Sequence, residues 1–454
     1  MDYIEYLEKK RQMGSNSGFE PNFIPDYLFY FQKSLVNWAI HKGRGALFED
    51  CGLGKTIQEL VWAKNICNHT NGKVLILTPL AVSHQTKREA DKFGIDAVTS
   101  FDGLIKSEIV ITNYEKLCKF NPSDFKAVVT DESSCLKNFD SAHKAEITNF
   151  MLKIPYRLLG TATAAPNDYI ELGTSSEALG YIGFMDMLNK YFKNTNNDSG
   201  MKKMYGEAPK WRFKGHSELP FWRWVTFWAR ACRKPSDLGF NDEDFKLTPF
   251  TEKEHLVETK EMRPGFLFNV PARTLLDQRD EKKRTIKDRC EKVLEIVSDH
   301  NDQSVIWCQY NEEGETLKKM IPDSIEISGK DSDDKKEKAF LDFANGNIKR
   351  LITKPKIGAF GMNWQNCAHI VYFPSHSYEQ YYQAIRRCWR FGQKNQVTID
   401  IVLTESERKI MQNLQHKSIQ ANNMFTNLVN EMNNSLELQK QNEFTKKEII
   451  PTWL

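Results

Sequence analysis

The run Glu49-Asp50-Cys51-Gly52-Leu53-Gly54-Lys55-Thr56 has the residue types and order that a phosphate-binding loop requires. Glycines 52 and 54 let backbone N–H groups turn toward phosphate oxygens, and a helix starting at Lys55 would add its positive end. Lys55 can reach β- and γ-phosphate oxygens, and Thr56 can ligate Mg²⁺. The general loop pattern carries glycine where this chain has Glu49. Asp131-Glu132 follows the apolar run Ala127 to Val129, so Asp131 is expected to hold Mg²⁺ and Glu132 to act as the general base that activates water. Further on, Arg387 and Arg390 stand three apart within Gln383 to Gln393. That spacing predicts one helix face on which two guanidinium groups grip a γ-phosphate and its transition-state charge. Taken alone, such a pair also suits a solvated basic face or a contact to DNA phosphates.

These groups need strands and helices to hold them. Short apolar segments at Ala46 to Phe48, Val74 to Leu77, Ile109 to Ile111, Ala127 to Val129 and Arg157 to Leu159 alternate with helix-periodic stretches, the rhythm of buried parallel strands with crossover helices. The rhythm stops after about Leu172 and returns at Val305 to Trp307, Ile325 to Ile327, Leu351 to Ile352, Ile370 to Phe373 and Val397 to Val402. The expectation is an α/β protein of two parallel-sheet domains, residues 1–174 and 286–408. An aromatic and basic insertion with its linker occupies 175–285, and a helical tail 409–454 is expected to pack on the second domain.

The insertion interleaves Lys202, Lys203, Lys210, Arg212, Lys214, Arg223, Arg230, Arg233 and Lys234 with Trp211, Trp222, Trp224 and Trp228, a mixture that single-strand grooves use. Phe221, Val225, Trp228 and Cys232 nonetheless recur at helical spacing, which assigns them to a core and leaves the basic residues free for phosphates.

A net charge of +3 over 454 residues says little about partners, whereas 40% hydrophobic and 27% charged residues describe a folded globular chain. Nine cysteines with no C-x-x-C pair suggest reduced thiols, and neither they nor the ten histidines show zinc-ligand spacing. No run of about 18 apolar residues occurs, so a cytoplasmic protein without a membrane span is expected.

The order of these elements resembles the superfamily 2 helicases, and within them the Swi/Snf-type ATPases, over roughly residues 25 to 410. Asp50 to Thr56 resembles their D-x-G-L-G-K-T form of motif I, which lacks the first glycine. Gln32 in Tyr30-Phe31-Gln32 is similar to the glutamine that reads adenine. Thr78-Pro79 and Thr112-Asn113-Tyr114 resemble motifs Ia and Ib, which touch the nucleic-acid backbone. Asp131-Glu132-Ser133-Ser134 stands where the family has D-E-A-H and is followed by Leu136-Lys137-Asn138. Gly160 to Asn167 resembles motif III. Val305 to Tyr310 resembles motif IV, and Gly358 with Gly361-Met362-Asn363-Trp364 resembles motif V, with Lys354-Pro355 replacing the usual Ser-Thr. Gln383 to Gln393 matches motif VI, and Arg230 to Phe240 resembles compact phage-encoded members.

The resemblance implies two tandem RecA-like domains that hydrolyse ATP with Mg²⁺ at their interface, as a DNA translocase or helicase. Gln32, Gly52, Leu53, Gly54, Lys55, Thr56 and Gly361 would bind nucleotide; Thr56 and Asp131 would hold Mg²⁺, partly through water. Lys55, Asp131, Glu132, Gln383, Arg387 and Arg390 would carry catalysis. Nucleic acid, as double-stranded DNA, is the implied partner, with replication or recombination proteins beside it, in a bacterial host cytoplasm for a phage-encoded chain. The alternative is an ATP-regulated DNA clamp or loading protein with weak hydrolysis.

Overall fold

A strand whose residues are all apolar has no face to show water, so it is stable only in the interior of a sheet covered on both sides. β1 (Arg44–Glu49), β2 (Val74–Thr78), β4 (Ile109–Asn113), β5 (Ala127–Asp131) and β6 (Tyr156–Thr161) obey this rule: β2, β4 and β5 are buried at every position. The computed structural model describes residues 16–137, 141–194, 211–258, 275–358 and 363–445. It divides the chain into a first unit, Met1–Asn241 with Gln420–Leu454, and a second, Asp242–Ile419.

The first unit's sheet runs β3-β4-β2-β5-β6-β1-β9, parallel throughout, with β3 at Val98–Thr99 and β9 at Ala229–Cys232. β9 is a difference from the sequence expectation, which placed these residues in an insertion: Ala46 pairs with Ala229, and Asp50 N–H donates to Cys232 O at 2.9 Å. The segment between β6 and β9 is built around aromatic packing. The helix Glu218–Trp228 buries Phe221, Trp222, Trp224, Val225 and Trp228. They form one core with Tyr191, Phe192 and the sheet residues Ala46, Phe48 and Leu159. Phe221, Val225, Trp228 and Cys232 are all 0% exposed, as core residues should be. Buried Arg157 closes the helices before and after β6, donating to Leu152 O, Ile154 O and Leu179 O at 2.7–2.8 Å and so satisfying carbonyls that lack intrahelical partners. An antiparallel ribbon, β7 (Phe192–Asn194) with β8 (Trp211–Phe213), lies in this segment.

The second unit's sheet is also all parallel, in the order β10-β15-β14-β11-β13-β12. Its strands are β10 (Phe250–Val257), β11 (Ser304–Trp307), β12 (Ser324–Ile327), β13 (Arg350–Thr353), β14 (His369–Tyr372) and β15 (Val397–Thr404). β10 lies within the stretch expected to be linker, so this unit begins well before residue 286. Its exposed, charged sequence suits an edge strand. Asp400 ties that edge to the interior, accepting from His255 Nε2 and His369 Nε2 at 2.7 Å each, while His369 Nδ1 lies 2.8 Å from Ser304 Oγ.

The tail also differs from expectation. One helix, Arg408–Thr445, buries Ile410, Met411 and Leu414, but from Gln420 it belongs to the first unit. There Met424, Phe425, Leu428 and Val429 join the core of sheet and insertion, Glu431 pairs with Arg223 Nε at 3.1 Å, and Tyr169 Oη donates to Gln420 O at 3.2 Å. The Asn- and Gln-rich composition concealed two separate apolar patches on one helix. Among the described residues no helix is long and apolar enough to cross a membrane.

Phe425→Ala should lower the stability of the first unit by about 3–5 kcal/mol, the usual cost of removing a buried phenyl ring. Denaturant unfolding followed by tryptophan fluorescence would report this through the neighbouring Trp222, Trp224 and Trp228. An unchanged midpoint would contradict the placement of the helix in this core.

Candidate nucleotide site and arginine segment

Every phosphate-site residue expected in the first half lies at the carboxyl end of the first unit's sheet, where open parallel sheets bind ligands. β1 ends at Glu49, and the loop turns through Gly52 and Gly54 at φ 92° and 79°, values that L side chains rarely adopt. The helix Lys55–Thr70 starts there with Gly54 as its cap, leaving its first N–H groups toward the loop. Lys55 Nζ donates to Glu49 O at 2.8 Å and Asp50 O at 3.2 Å, so the loop's own carbonyls receive the ammonium that would otherwise meet phosphate. Thr56 is half-buried beside it, and the side chain of Leu53 is wholly buried while its carbonyl faces Gln32.

Gln32 is fixed at both ends of its amide. Nε2 donates to Leu53 O at 2.7 Å, and Oε1 accepts from Phe29 N–H at 3.0 Å. A Cβ at position 54 would fall 2.5 Å from Gln32 Nε2, which is a second reason for glycine there.

Asp131 ends β5 and Glu132 follows it in the turn. Tyr114 Oη donates to Asp131 O at 2.5 Å, which gives the Thr112-Asn113-Tyr114 segment a part in holding the acid. Glu132 has φ 53°, a strained left-handed conformation for a non-glycine residue, and its Oε2 accepts from Thr161 Oγ1 at 3.3 Å. Thr161 Oγ1 also accepts from Thr163 N–H at 3.1 Å, so the segment resembling motif III is bonded directly to the expected general base.

The site carries more acid than its motifs require. Burial pushes Asp131 up to about 7, with Glu132 adding to the rise. Burial likewise pushes Glu49 up to about 7, against the charge of Lys55 and a 2.7 Å hydrogen bond from Gln58 Nε2. Glu59, one turn along the loop's helix, is raised well above the usual carboxylate range by burial and then by Asp131. Both its oxygens are buried without a hydrogen-bond partner. Burial opposes the charge of Lys55, yet Cys51, Glu132, Glu49 and Asp131 together hold its pKa above the ordinary lysine value. Reading the sequence missed Glu59; its place in the helix after the loop was the available signal.

In the second unit Gln383, Arg387 and Arg390 share one segment, but not one regular helix. The regular helix Tyr378–Ile385 ends first, and turns continue it, with Cys388 N–H and Trp389 N–H both donating to Ile385 O. Gln383 is wholly buried and Arg387 is 7% exposed. Arg387 O accepts from Trp364 N–H at 2.9 Å, and Arg390 Nη1 donates to Asn363 Oδ1, which join the segments resembling motifs V and VI. Buried Arg386 serves packing instead, its guanidinium stacking over Trp389 at 4.9 Å and Phe391 at 5.6 Å. Gly361, expected to bind nucleotide, lies outside the described residues. A further pair was not foreseen. Glu313 Oε2 accepts from Gln309 and Tyr310 N–H at 2.7 and 2.9 Å, and its Oε1 pairs with buried Arg289 at 2.7 Å, which fixes the motif IV loop. The Tyr310-x-x-Glu313 capping spacing was its only trace in the sequence.

The donor set fits ATP with Mg²⁺. Among the described residues no group of three or more His, Cys, Asp or Glu is placed to hold a metal ion. Mg²⁺ characteristically takes one or two carboxylates and completes its shell with phosphate and water, which Asp131 and Thr56 can accommodate. A divalent cation would also offset the surplus of buried carboxylates around Lys55.

Residues 288–392 match the family described as the helicase conserved C-terminal domain. Among solved structures the chain is similar to the Sulfolobus solfataricus SWI2/SNF2 ATPase core in complex with dsDNA, at 16% identity over 90% of this chain and 96% of that one, with a TM-score of 0.41.

A Cβ at Gly160 would fall 2.0 Å from Glu59 Oε1 and 3.2 Å from its Cδ. Gly160→Ala should therefore destabilise the protein by about 1–3 kcal/mol through overpacking, and most of that loss should be recovered in the Glu59→Ala background. A double-mutant cycle by denaturant unfolding measures the coupling; additive effects would show that the two groups do not meet.

Proposed function

With a helicase conserved C-terminal domain in its second unit, we propose that this chain is a superfamily 2 ATPase of the Swi/Snf type that hydrolyses ATP and translocates on double-stranded DNA. The observation that carries the reading is the joining of Lys55, Asp131, Glu132 and Thr161 at one sheet end, in a chain whose second parallel-sheet unit holds Arg387 and Arg390 in one segment.

In this reading Lys55 exchanges its loop carbonyls for β- and γ-phosphate oxygens. The loop N–H groups after Gly52 and the start of the helix Lys55–Thr70 receive the remaining phosphate charge. Gln32, held against Leu53, presents its amide to adenine. Thr56 and Asp131 would hold Mg²⁺, which would neutralise charge at the phosphates. Glu132 takes the proton of the attacking water, and Thr161 orients its carboxylate. Arg387 and Arg390 stabilise charge that develops on the transferred phosphoryl group, as arginine fingers do. Nucleotide-dependent closing and opening of two domains is then the physical means of stepping along a duplex.

Steady-state ATP hydrolysis without nucleic acid and with duplex DNA, single-stranded DNA or RNA tests the reading, with Lys55→Ala as the blank. Stimulation by duplex is expected. Glu132→Gln should retain bound ATP, and Arg387→Ala should slow turnover by about 10³-fold or more while leaving ATP binding intact. Unchanged turnover in Arg387→Ala would remove the arginine segment from the site. Tight DNA binding with no stimulation would favour a clamp that hydrolyses weakly, a behaviour consistent with Ser134 in place of the family's histidine.

A further inference from the structure

Residues three apart on a helix share a face, with about 5–6 Å between their Cβ atoms. Glu59 therefore lies one turn behind Thr56 on the helix Lys55–Thr70, and it is 1% exposed. Its carboxyl rests on the sheet. A Cβ on Gly160 would fall 2.0 Å from Glu59 Oε1, so the carboxyl fills the space that a side chain there would take. Gly160 of β6 pairs in register with Asp131 of β5. Paired residues of a pleated sheet share a face, which brings the Glu59 carboxyl beside the Asp131 side chain. Asp131 is also the charged group that acts most strongly on Glu59.

The acids of this cluster differ in what their oxygens do. Glu49 Oε2 accepts from Gln58 Nε2 at 2.7 Å, and Glu132 Oε2 accepts from Thr161 Oγ1 at 3.3 Å. Both oxygens of Glu59 are buried without a partner in the protein. Leaving a buried polar group without a hydrogen bond is costly, and packing alone would be served by an apolar side chain of like volume. We propose that Glu59 is a positioning residue for the divalent cation of the nucleotide site, its two oxygens accepting from water of the cation's shell behind Thr56 and Asp131. Mg²⁺ characteristically keeps several waters, and acceptors in its outer shell orient the groups that ligate it. The inference rests on the ATP and Mg²⁺ reading of the previous subsection and gives a role to a residue outside the motifs of the family resemblance.

The experiment measures affinity of the full chain for a fluorescently labelled, non-hydrolysable ATP analogue, once in EDTA and once in saturating Mg²⁺. The ratio of the two is the metal enhancement. Wild type is compared with Glu59→Leu, with Glu59→Gln, which keeps one of the two acceptor oxygens, and with Asp131→Asn. Glu59→Leu should lose about 10-fold of the enhancement, the lower end for removal of an outer-shell partner, while its affinity in EDTA does not fall. Glu59→Gln should lie between it and wild type, and it carries the test alone if Glu59→Leu does not fold. Wild-type enhancement in the Glu59 variants, with Asp131→Asn reduced, overturns the inference and leaves the ATPase reading intact. Equal losses in EDTA and in Mg²⁺ also overturn it, because a carboxyl that only supports packing would lower both. Absence of any enhancement in wild type, or its survival in Asp131→Asn, overturns the metal reading beneath it.

Discussion

One ammonium group among four carboxylates sets the terms for the first unit. Lys55 faces Glu49, Asp131 and Glu132, with Glu59 close behind, and burial denies Glu49, Asp131 and Glu59 the solvent that would otherwise dilute their charges. Such a cluster is tolerable only if its geometry is held from outside. Tyr114 clamps the backbone of Asp131, Thr161 holds Glu132, Gln58 holds Glu49, and Gln32 pins the loop through Leu53. The strained backbone at Glu132 belongs to the same account, since its left-handed turn costs stability that the surrounding bonds offset. Glu49 also gives the missing first loop glycine a physical meaning. Its side chain is directed at Gln58 of the following helix, and its carbonyl accepts from Lys55.

The second unit solves a similar problem with different means. Its loop-bearing ends are fixed by ion pairs taken out of water, Arg289 with Glu313 and Lys282 with Glu407, and by aromatic stacking around Arg386. Breaking one partner of such a pair leaves a buried charge behind, so Arg289 and Glu313 hold the Gln309–Tyr310 loop more firmly than a surface pair could. Three arginines within five residues thus divide their labour. Arg386 is consumed by packing, while Arg387 and Arg390 are joined to the neighbouring Asn363-Trp364 segment.

Much of this was legible in the residues alone. Apolar runs located the interior strands because a strand covered on both faces has no polar position to disguise it. The turn through Gly52 and Gly54 into a helix and the place of Asp131 at a strand end were legible because both depend on residue type and local order. The strands that escaped notice fail these conditions for identifiable reasons. β9 is four residues long and carries Arg230, whose guanidinium lies over Trp38 at 4.4 Å, so its sequence looks basic where its setting is buried. β10 is a charged edge strand whose identity comes from eight residues of pairing with β15. Glu59 and Gly160 are far apart in the chain, and only the fold brings the carboxylate to the place where a Cβ would stand. The arginine segment was recognisable as a motif, but its emergence from the helix end required knowing that regular helix stops at Ile385.

The division of the chain has a consequence for its synthesis. Residues 242–419 form the second unit, yet Met424, Phe425, Leu428 and Val429 complete a core whose other members lie between residues 46 and 231. The second unit is thus an insertion in the first, and Met424, Phe425, Leu428 and Val429 are translated after it. At roughly 5–20 residues per second, translation of the second unit occupies on the order of ten to thirty seconds. Throughout that interval the core that includes Trp222 and Trp224 lacks those four residues. Completing the first unit's core therefore includes closing a long loop, a non-local step of the kind that slows folding.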